Sequence, residues 1–513
     1  MSDVRLAELL AALSLAGDLG HGRTLEYSLR TAYLSCRLAV AAGLDAAERR
    51  DVLYVGLLQA IGCVGNAYEI ATEAHADEIA FKSEIALANF LEPADQLKVV
   101  VRHFGSSGPA VLRPATIARA LADRDAPRRS TLAHCETGAL IARRAGLGEG
   151  VTASLFGVFE RWDGQGRPAG AKAAAIPVVA RVVAVATAAE LLHGTYGGGA
   201  VAERIRHMAG KALDPDLAGT FLALEAGEPL WPALDAPTLW EDVLAFEPAP
   251  RLVLAPAQLE EVALAFADFA DVKSPSFVGH SRGVARVAVA AARALHLGEP
   301  EVVELRHAAL LHDVGRASVP NSILDKPRDL TPGERERVRL HSYYTERVLE
   351  RAPAFAAVAS VAGAHHERLD GSGYHRGSKG SALPLSARVL AATDAFQAAT
   401  ERRAYRGART PEQAASSLRQ EASSGRLDPD AVEAVVASAG AATPRRIRAP
   451  STLTDREVEI VRLLASGYAN KEIARRLEIS ENTARHHLES VYAKLEVATR
   501  TGAVMQALAR GLL

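Results

Sequence analysis

Leu310-Leu311-His312-Asp313-Val314-Gly315 repeats the apolar frame of Leu57-Leu58-Gln59-Ala60-Ile61-Gly62, with Gly315 lying 253 positions after Gly62. The same offset sets Asp271 on Asp18 and His280-Ser281 on Tyr27-Ser28. A second pair of stretches, Glu160-Arg161-Trp162-Asp163-Gly164-Gln165-Gly166 and Glu367-Arg368-Leu369-Asp370-Gly371-Ser372-Gly373, is related by 207 positions. That offset also sets His341 on His134, Pro384 on Pro177 and Arg388 on Arg181. Two constant offsets held over long stretches indicate an internal duplication. The difference between 253 and 207 gives the first copy 46 extra residues between Gly62 and His134. Apolar positions recur at three- and four-residue spacing, as in Val284, Val287, Ala288 and Ala291, and no alternating pattern is sustained. The expected fold is therefore all-α with few strands.

The expected organisation follows from the breaks between periodic stretches. Residues 1–228 form the first copy and 257–438 the second, separated by a Pro-rich linker at 229–256. A basic linker at 439–450, with Arg445, Arg446 and Arg448, precedes a small tail domain at 451–513. The extra segment of the first copy, about Ala67 to Arg129, is the place expected to carry a regulatory surface. The 513 residues carry a formal charge of −2, so any affinity for nucleic acid has to be local. The spacing of Cys36, Cys63 and Cys135 suits neither a disulfide framework nor a zinc site. Asp3, Arg5 and Glu8 argue against a signal peptide. The most apolar run, Ile176 to Leu192, is interrupted by Arg181 and Glu190 and reads as a buried helix. A cytoplasmic protein without a membrane partner is expected.

The second copy holds His280, the adjacent pair His312-Asp313, His341, the adjacent pair His365-His366, and Asp394. Imidazoles and carboxylates are ligands for iron, manganese or zinc. Adjacent ligands can serve neighbouring ions that share a water and steady a phosphoryl group under attack. His296, His307 and His375 are read as ordinary core or surface residues. In the set of seven, each member recurs in a recognisable context: Leu311-His312-Asp313-Val314-Gly315-Arg316 and His365-His366-Glu367-Arg368-Leu369-Asp370-Gly371-Ser372-Gly373-Tyr374, joined by Pro320, Ile323-Leu324, Lys326-Pro327 and Leu330-Thr331. From about Asp271 to Asp430 the chain resembles the HD-GYP family of metal-dependent phosphohydrolases, a subgroup of the HD superfamily. The resemblance implies an all-helical domain that hydrolyses cyclic di-GMP or a related nucleotide. It implies that the seven residues bind two divalent ions, iron or manganese, with Asp313 and Arg316 catalytic. It places Arg316, Tyr374, Arg403 and Arg406 on the substrate, where a guanidinium fork suits phosphate oxygens.

This chain departs from the family pattern in four places. Arg316 replaces the signature lysine, His375 replaces a proline and is expected to loosen a rigid turn, and Ala404 replaces another proline. Members with a third metal carry an acidic residue where Ser276 stands, so two metals are expected. In the first copy the ligand positions read Tyr27, Gln59, Ala60, Val158, Phe159 and Thr187, and only His134 survives. One imidazole cannot hold a binuclear site. That copy is expected to be degenerate, serving as a packing or dimerisation unit or as a sensor that binds without hydrolysing.

In the tail, Thr454-Asp455-Arg456-Glu457 is a capping box. Gly467 supplies a stop, a short helix runs from about Asn470 to Leu477, and Ser480 caps a third helix. In that helix Ala484, Leu488, Val491 and Leu495 face inward while Asn482, Arg485, His486 and Glu489 face out. The stretch Leu453–Leu513 resembles the LuxR-type helix-turn-helix, whose third helix enters the major groove of double-stranded DNA. The resemblance implies DNA contacts by Lys471, Asn482, Thr483, Arg485, His486 and Lys494. It also implies a fourth helix, about Thr499 to Ala509, that commonly pairs two such domains into a homodimer. The expected protein is a DNA-binding transcription regulator carrying a phosphodiesterase domain. The alternative is a non-catalytic metal- or nucleotide-binding sensor that controls DNA binding.

Overall fold

The computed structural model describes residues 4–88, 93–441 and 453–513. Helices build it throughout. Among the described residues the one sheet is a two-residue antiparallel pair, Val4–Arg5 with Val253–Leu254. The chain divides into two compact units, Met1–Gln258 and Leu259–Leu513.

In the first unit the helix Leu6–Gly20 is buried along almost its whole length, as expected of a helix apolar on every face. Tyr27–Ala41, Ala46–Leu58, Ala126–Arg144 and Val178–Tyr196 surround the core. Asp45 starts one of them through a reciprocal capping box with Glu48. Val178–Tyr196 is long and apolar enough to cross a membrane, yet 72% of its most apolar window is buried inside the protein. The three cysteines form no disulfide and are all buried.

The stretch 229–256 is not a free linker, which corrects the sequence expectation. Leu230–Leu234 and Leu239–Ala245 are helices, and they bury Leu230, Leu234, Leu239 and Val243. Glu247 then accepts hydrogen bonds from Arg5 Nε at 2.6 Å and Tyr54 Oη at 2.8 Å. Pro229 and Pro232 flank or occupy a first helical turn, where a missing N–H costs nothing, so proline content did not mean absence of structure here.

The second unit contains His280–Ala294, Glu299–Leu311, Pro332–Leu349, Ala356–Gly363, Leu385–Thr400, Pro411–Ser423 and Pro429–Ala441. Thr331 and Thr410 each open a helix with a capping box. Several hydrogen-bond devices occur in both units in the same chain order. Asp18 accepts from Ser28 N and Oγ, and Asp271 from Ser281 N and Oγ. Glu160 accepts from the amides of Ala169 and Gly170, and Glu367 from those of Arg376 and Ser378. Arg181 reaches Ile176 O and Asp214, and Arg388 reaches Leu383 O and Asp428.

The tail has four helices, Asp455–Ala465, Asn470–Arg476, Glu481–Leu495 and Arg500–Ala509. Thr454 and Glu457 close the capping box and Ser480 Oγ accepts from Thr483 N, as the sequence implied. Ala484, Leu488, Val491 and Leu495 are the buried positions of the third helix. The basic cluster Arg445, Arg446 and Arg448 lies outside the described residues.

Candidate metal centre

The helix Glu299–Leu311 ends at His312, and a tight turn, Val314–Ser318, follows Asp313. That turn sits against Pro332–Leu349 closely enough that a Cβ on Gly315 would lie 2.1 Å from the carbonyl oxygen of His341. Glycine at this position therefore lets His312, Asp313 and His341 share one centre. His280 opens its own helix, His365 and His366 follow the helix Ala356–Gly363, and Asp394 lies within Leu385–Thr400.

All seven expected ligands converge. His280, His312 and Asp394 form one group of close ligand atoms, and His341, His365 and His366 another. Asp313 lies between them. Its Oδ2 is 3.0 Å from His312 Nε2 and 3.7 Å from His280 Nε2, while Oδ1 is 3.4 Å from His341 Nε2 and 3.9 Å from His365 Nε2. Asp313 Oδ1 is buried without a hydrogen-bond partner, a costly state unless a cation accompanies it.

The imidazoles are set as ligands by their own helices. His312, His341 and His365 each donate Nδ1–H to the carbonyl three residues earlier, on Ala309, Val338 and Ala362. Each therefore turns an Nε2 lone pair into the cluster. Burial, helped by neighbouring imidazoles, pushes His365 down to about 3 and His366 well below its ordinary value; burial also lowers His341. These rings stay neutral near pH 7, so two lone pairs, His341 Nε2 and His365 Nε2, face each other at 3.0 Å. Two acceptors at that distance need a cation between or beside them, so the donor set fits divalent metal. Burial raises the Asp313 carboxyl, but Arg316 and His312 outweigh it and hold it well below the carboxylate range. Asp394 is likewise pushed up by burial and held far down by His280 and His366. Burial disfavours charge on His280, but Glu401 and Asp394 raise it to about 9.

Glu401 is a residue the sequence reading missed: its Oε2 lies 2.8 Å from His280 Nδ1. Nothing in the local sequence marks it, because the contact spans 121 residues. Phe277 was also missed, and its ring lies under both Arg316, at 3.8 Å, and Arg403, at 4.5 Å. Arg316 pairs with Asp313, and Arg403 donates to Ser276 O. Tyr374 stacks beside His366 at 4.8 Å with Arg339 over its ring.

Two expectations, for Arg406 and Lys494, change. Arg406 spends its guanidinium on the carbonyls of Ala398, Ala399, Glu401 and Gly407, so it closes the loop rather than facing a substrate. His375 has side-chain partners of its own: Ser342 Oγ meets its Nδ1 at 3.3 Å and Glu346 its Nε2 at 3.2 Å. Lys494 Nζ is held by Glu457 at 2.7 Å, since a buried carboxylate draws the nearest ammonium inward. Lys471, Asn482, Thr483, Arg485 and His486 all stand exposed.

In the first unit His134, the one imidazole at the aligned positions, lies among protein groups. His134 Nε2 meets Gln59 O at 2.8 Å, and His134 packs edge-on against His21 and Phe159. The helix Glu78–Ala88, within the extra segment, brings Ala86 and Leu87 onto Tyr27, Ala60 and Leu191. Its Lys82 is buried and donates to Cys63 O.

Residues 265–431 match the model of the HD domain, and residues 451–507 that of the bacterial regulatory proteins of the luxR family. The chain is 32% identical over 405 residues to the 3'3'-cGAMP-specific phosphodiesterase 3 of Vibrio cholerae, covering 79% of this chain and 88% of that protein. It is 38% identical over 158 residues to a cyclic di-GMP phosphodiesterase of Thermotoga maritima, covering 30% and 42% respectively. A solved cyclic GMP-AMP-specific phosphodiesterase of V. cholerae superposes with a TM-score of 0.62 at 27% identity, over 86% of this chain and 98% of that one. With these relatives, an HD domain and clusters able to bind metal, the chain belongs to the HD-GYP family of metal-dependent phosphohydrolases and carries a LuxR-type helix-turn-helix domain.

Proposed function

We propose that this protein hydrolyses a phosphodiester bond of a cyclic dinucleotide at the centre around Asp313, and that it regulates transcription through its DNA-binding tail. The observation that carries the first half is the placement of Asp313, one oxygen turned to each imidazole group. His280, His312 and Asp394 would hold one divalent ion and His341, His365 and His366 a second, with Asp313 serving both; iron or manganese suits such a donor set. The ions would supply Lewis acidity to the phosphoryl group and lower the pKa of the attacking water. Burial holds His341, His365 and His366 neutral, so protons compete little for these ligands near pH 7. Arg316 and Arg403, both packed on the ring of Phe277, offer positive charge to the phosphates, and Tyr374 lies beside His366. Relatives act on 3'3'-cGAMP or cyclic di-GMP, and both are taken as candidate substrates.

The first unit is read as a degenerate copy with a packing role. The shared hydrogen-bond devices support the copy, and the contacts of His134 with Gln59 and Phe159 and of Lys82 with Cys63 O support packing over sensing. The exposed face of the third tail helix supports DNA binding: Arg485→Ala should weaken binding to a selected duplex at least about ten-fold. One observation favours the sensor alternative, namely that Arg316 and Arg403 are already engaged by Asp313 and by Ser276 O.

The deciding experiment loads purified protein with Mn²⁺, counts metal per chain, and follows conversion of 3'3'-cGAMP and cyclic di-GMP to linear products. The expected outcome is two ions and turnover of at least one substrate, with both abolished in Asp313→Asn. Two ions without turnover of either nucleotide would leave the sensor reading standing.

A further inference from the structure

The last tail helix, Arg500–Ala509, is buried over most of its surface. Thr501, Gly502, Ala503, Val504, Met505, Ala507 and Leu508 are all buried, with Gln506 half-buried. At 100° per residue these positions sweep roughly 260° of the helix surface, whereas a helix at the edge of a small bundle has one apolar stripe of about 100° or a little more. Asp455–Ala465 and Glu481–Leu495 cover part of it. The phosphohydrolase domain comes near the same helix: Leu508 Cδ2 lies 3.8 Å from where a Cβ on Gly279 would stand.

Gly279 immediately precedes His280 and caps its helix in a left-handed conformation, φ +81°. A second contact reaches the same rim. Arg402 Nη1 donates to Tyr468 Oη at 3.1 Å, and the Tyr468 ring is backed by Arg476 at 3.9 Å. Arg402 sits between Glu401, bound to His280 Nδ1, and Arg403, bound to Ser276 O. The tail therefore hydrogen-bonds to Arg402 and comes near Gly279, which adjoin this edge of the centre on two chain segments. The DNA-facing positions Asn482, Thr483, Arg485 and His486 stay exposed in this arrangement.

We infer that the DNA-binding domain docks on the Gly279 and Glu401–Arg403 rim of the metal centre and clamps the segment that carries Arg403, so that site occupancy and docking of the tail report on each other. The inference rests on the phosphohydrolase reading of that centre. A substrate phosphate that draws on Arg403 has to move a segment that Tyr468 holds from outside. Ligands that favour different states of one contact are coupled reciprocally, so displacement of the tail eases substrate binding and substrate binding loosens the tail by the same factor.

The test uses the full chain loaded with Mn²⁺ and three variants: Tyr468→Phe, Arg402→Ala and the double. Tyr468→Phe removes only the hydroxyl and keeps the ring under Arg476. Hydrogen exchange in a peptide spanning 399–407 should rise roughly three- to five-fold in each single variant and no further in the double, the signature of one shared interaction. KM for bis(p-nitrophenyl) phosphate should fall by a similar factor with kcat little changed, and exchange across 481–489 should stay as in the parent. Unchanged exchange at 399–407, or effects that add in the double variant, would overturn the docking. If exchange responds while no cyclic dinucleotide is hydrolysed, docking stands and the phosphodiesterase reading falls. If turnover is intact while exchange stays flat, the phosphodiesterase reading stands and docking falls.

Discussion

Gly315→Ala tests the link between backbone packing and the metal centre. The new Cβ would lie 2.1 Å from His341 O, 2.5 Å from Thr345 N and 2.9 Å from Thr345 Oγ1. Carbon rarely comes within 3.0 Å of such atoms, so the Val314–Ser318 turn and the helix Pro332–Leu349 must separate by about 1 Å. The separation strains two hydrogen bonds, Gly315 N to Thr345 Oγ1 at 3.1 Å and Thr345 Oγ1 to His312 O at 2.7 Å. Overpacking and the weakened bonds together should cost about 2–4 kcal/mol of stability. The retreat also carries His341 away from Asp313 and His365, and a misplacement of about 1 Å in a catalytic site costs on the order of 100-fold in rate. Gly62→Ala is the internal control, because its Cβ would lie 2.0 Å from His134 O in the first unit. It should cost similar stability and leave kcat per folded molecule within about two-fold. Metal content, urea unfolding and phosphodiester turnover on both variants decide the matter. Wild-type metal content and rate in Gly315→Ala would refute the reasoning, as would equal loss of rate in folded Gly62→Ala.

Other expectations concern the first unit and the tail. Burial raises Asp18 to about 8 against the hydrogen bonds from Ser28, so the folded state keeps it protonated where an unfolded chain would not. Its contribution to stability is full below about pH 4 and is lost as pH rises through about 8. Asp18→Asn should therefore gain on the parent as pH rises from about 4 to about 8 and level off above that, by up to a few kcal/mol in urea unfolding, and a pH-independent difference would count against this. Lys82→Met leaves the carbonyl of Cys63 without that donor and should lower the stability of the first unit by about 1–3 kcal/mol while sparing turnover. The same change should let His134, held down to about 4 mainly by burial and partly by Lys82, titrate higher in an NMR titration. Thr454→Ala removes the cap of the first tail helix and should cost about 1 kcal/mol in the melting of that domain, with DNA affinity falling in proportion to its unfolded fraction.

The site was legible because its chemistry uses rare residue types in fixed local contexts. Adjacent pairs such as His312-Asp313 and His365-His366 can be read in one dimension, and the structure brings them to one point with His280, His341 and Asp394. The tail was legible for a similar reason, since caps and helical periodicity are local. Arg406 and Lys494 were misread because their partners are backbone carbonyls across a turn and a carboxylate 37 residues away. Residue type alone does not say whether a guanidinium faces a ligand or its own loop. The stretch 229–256 was misread because proline was weighed by content rather than by position within a helical turn.

The amino-acid sequence by itself determined that the chain is helical, where its ligand-bearing half lies, and that the tail carries a helix-turn-helix, because periodicity, capping and motif spacing act over a few residues. Tertiary structure alone decided which nitrogen of each histidine faces the centre and that Asp313 turns one oxygen to each imidazole group. It alone placed Glu401 behind His280 and Lys82 on the carbonyl of Cys63. Those outcomes depend on burial and on contacts between distant segments. Burial and nearby charges set the protonation of an imidazole, and packing decides which carbonyl its other nitrogen meets, so neither can be read from neighbours along the chain.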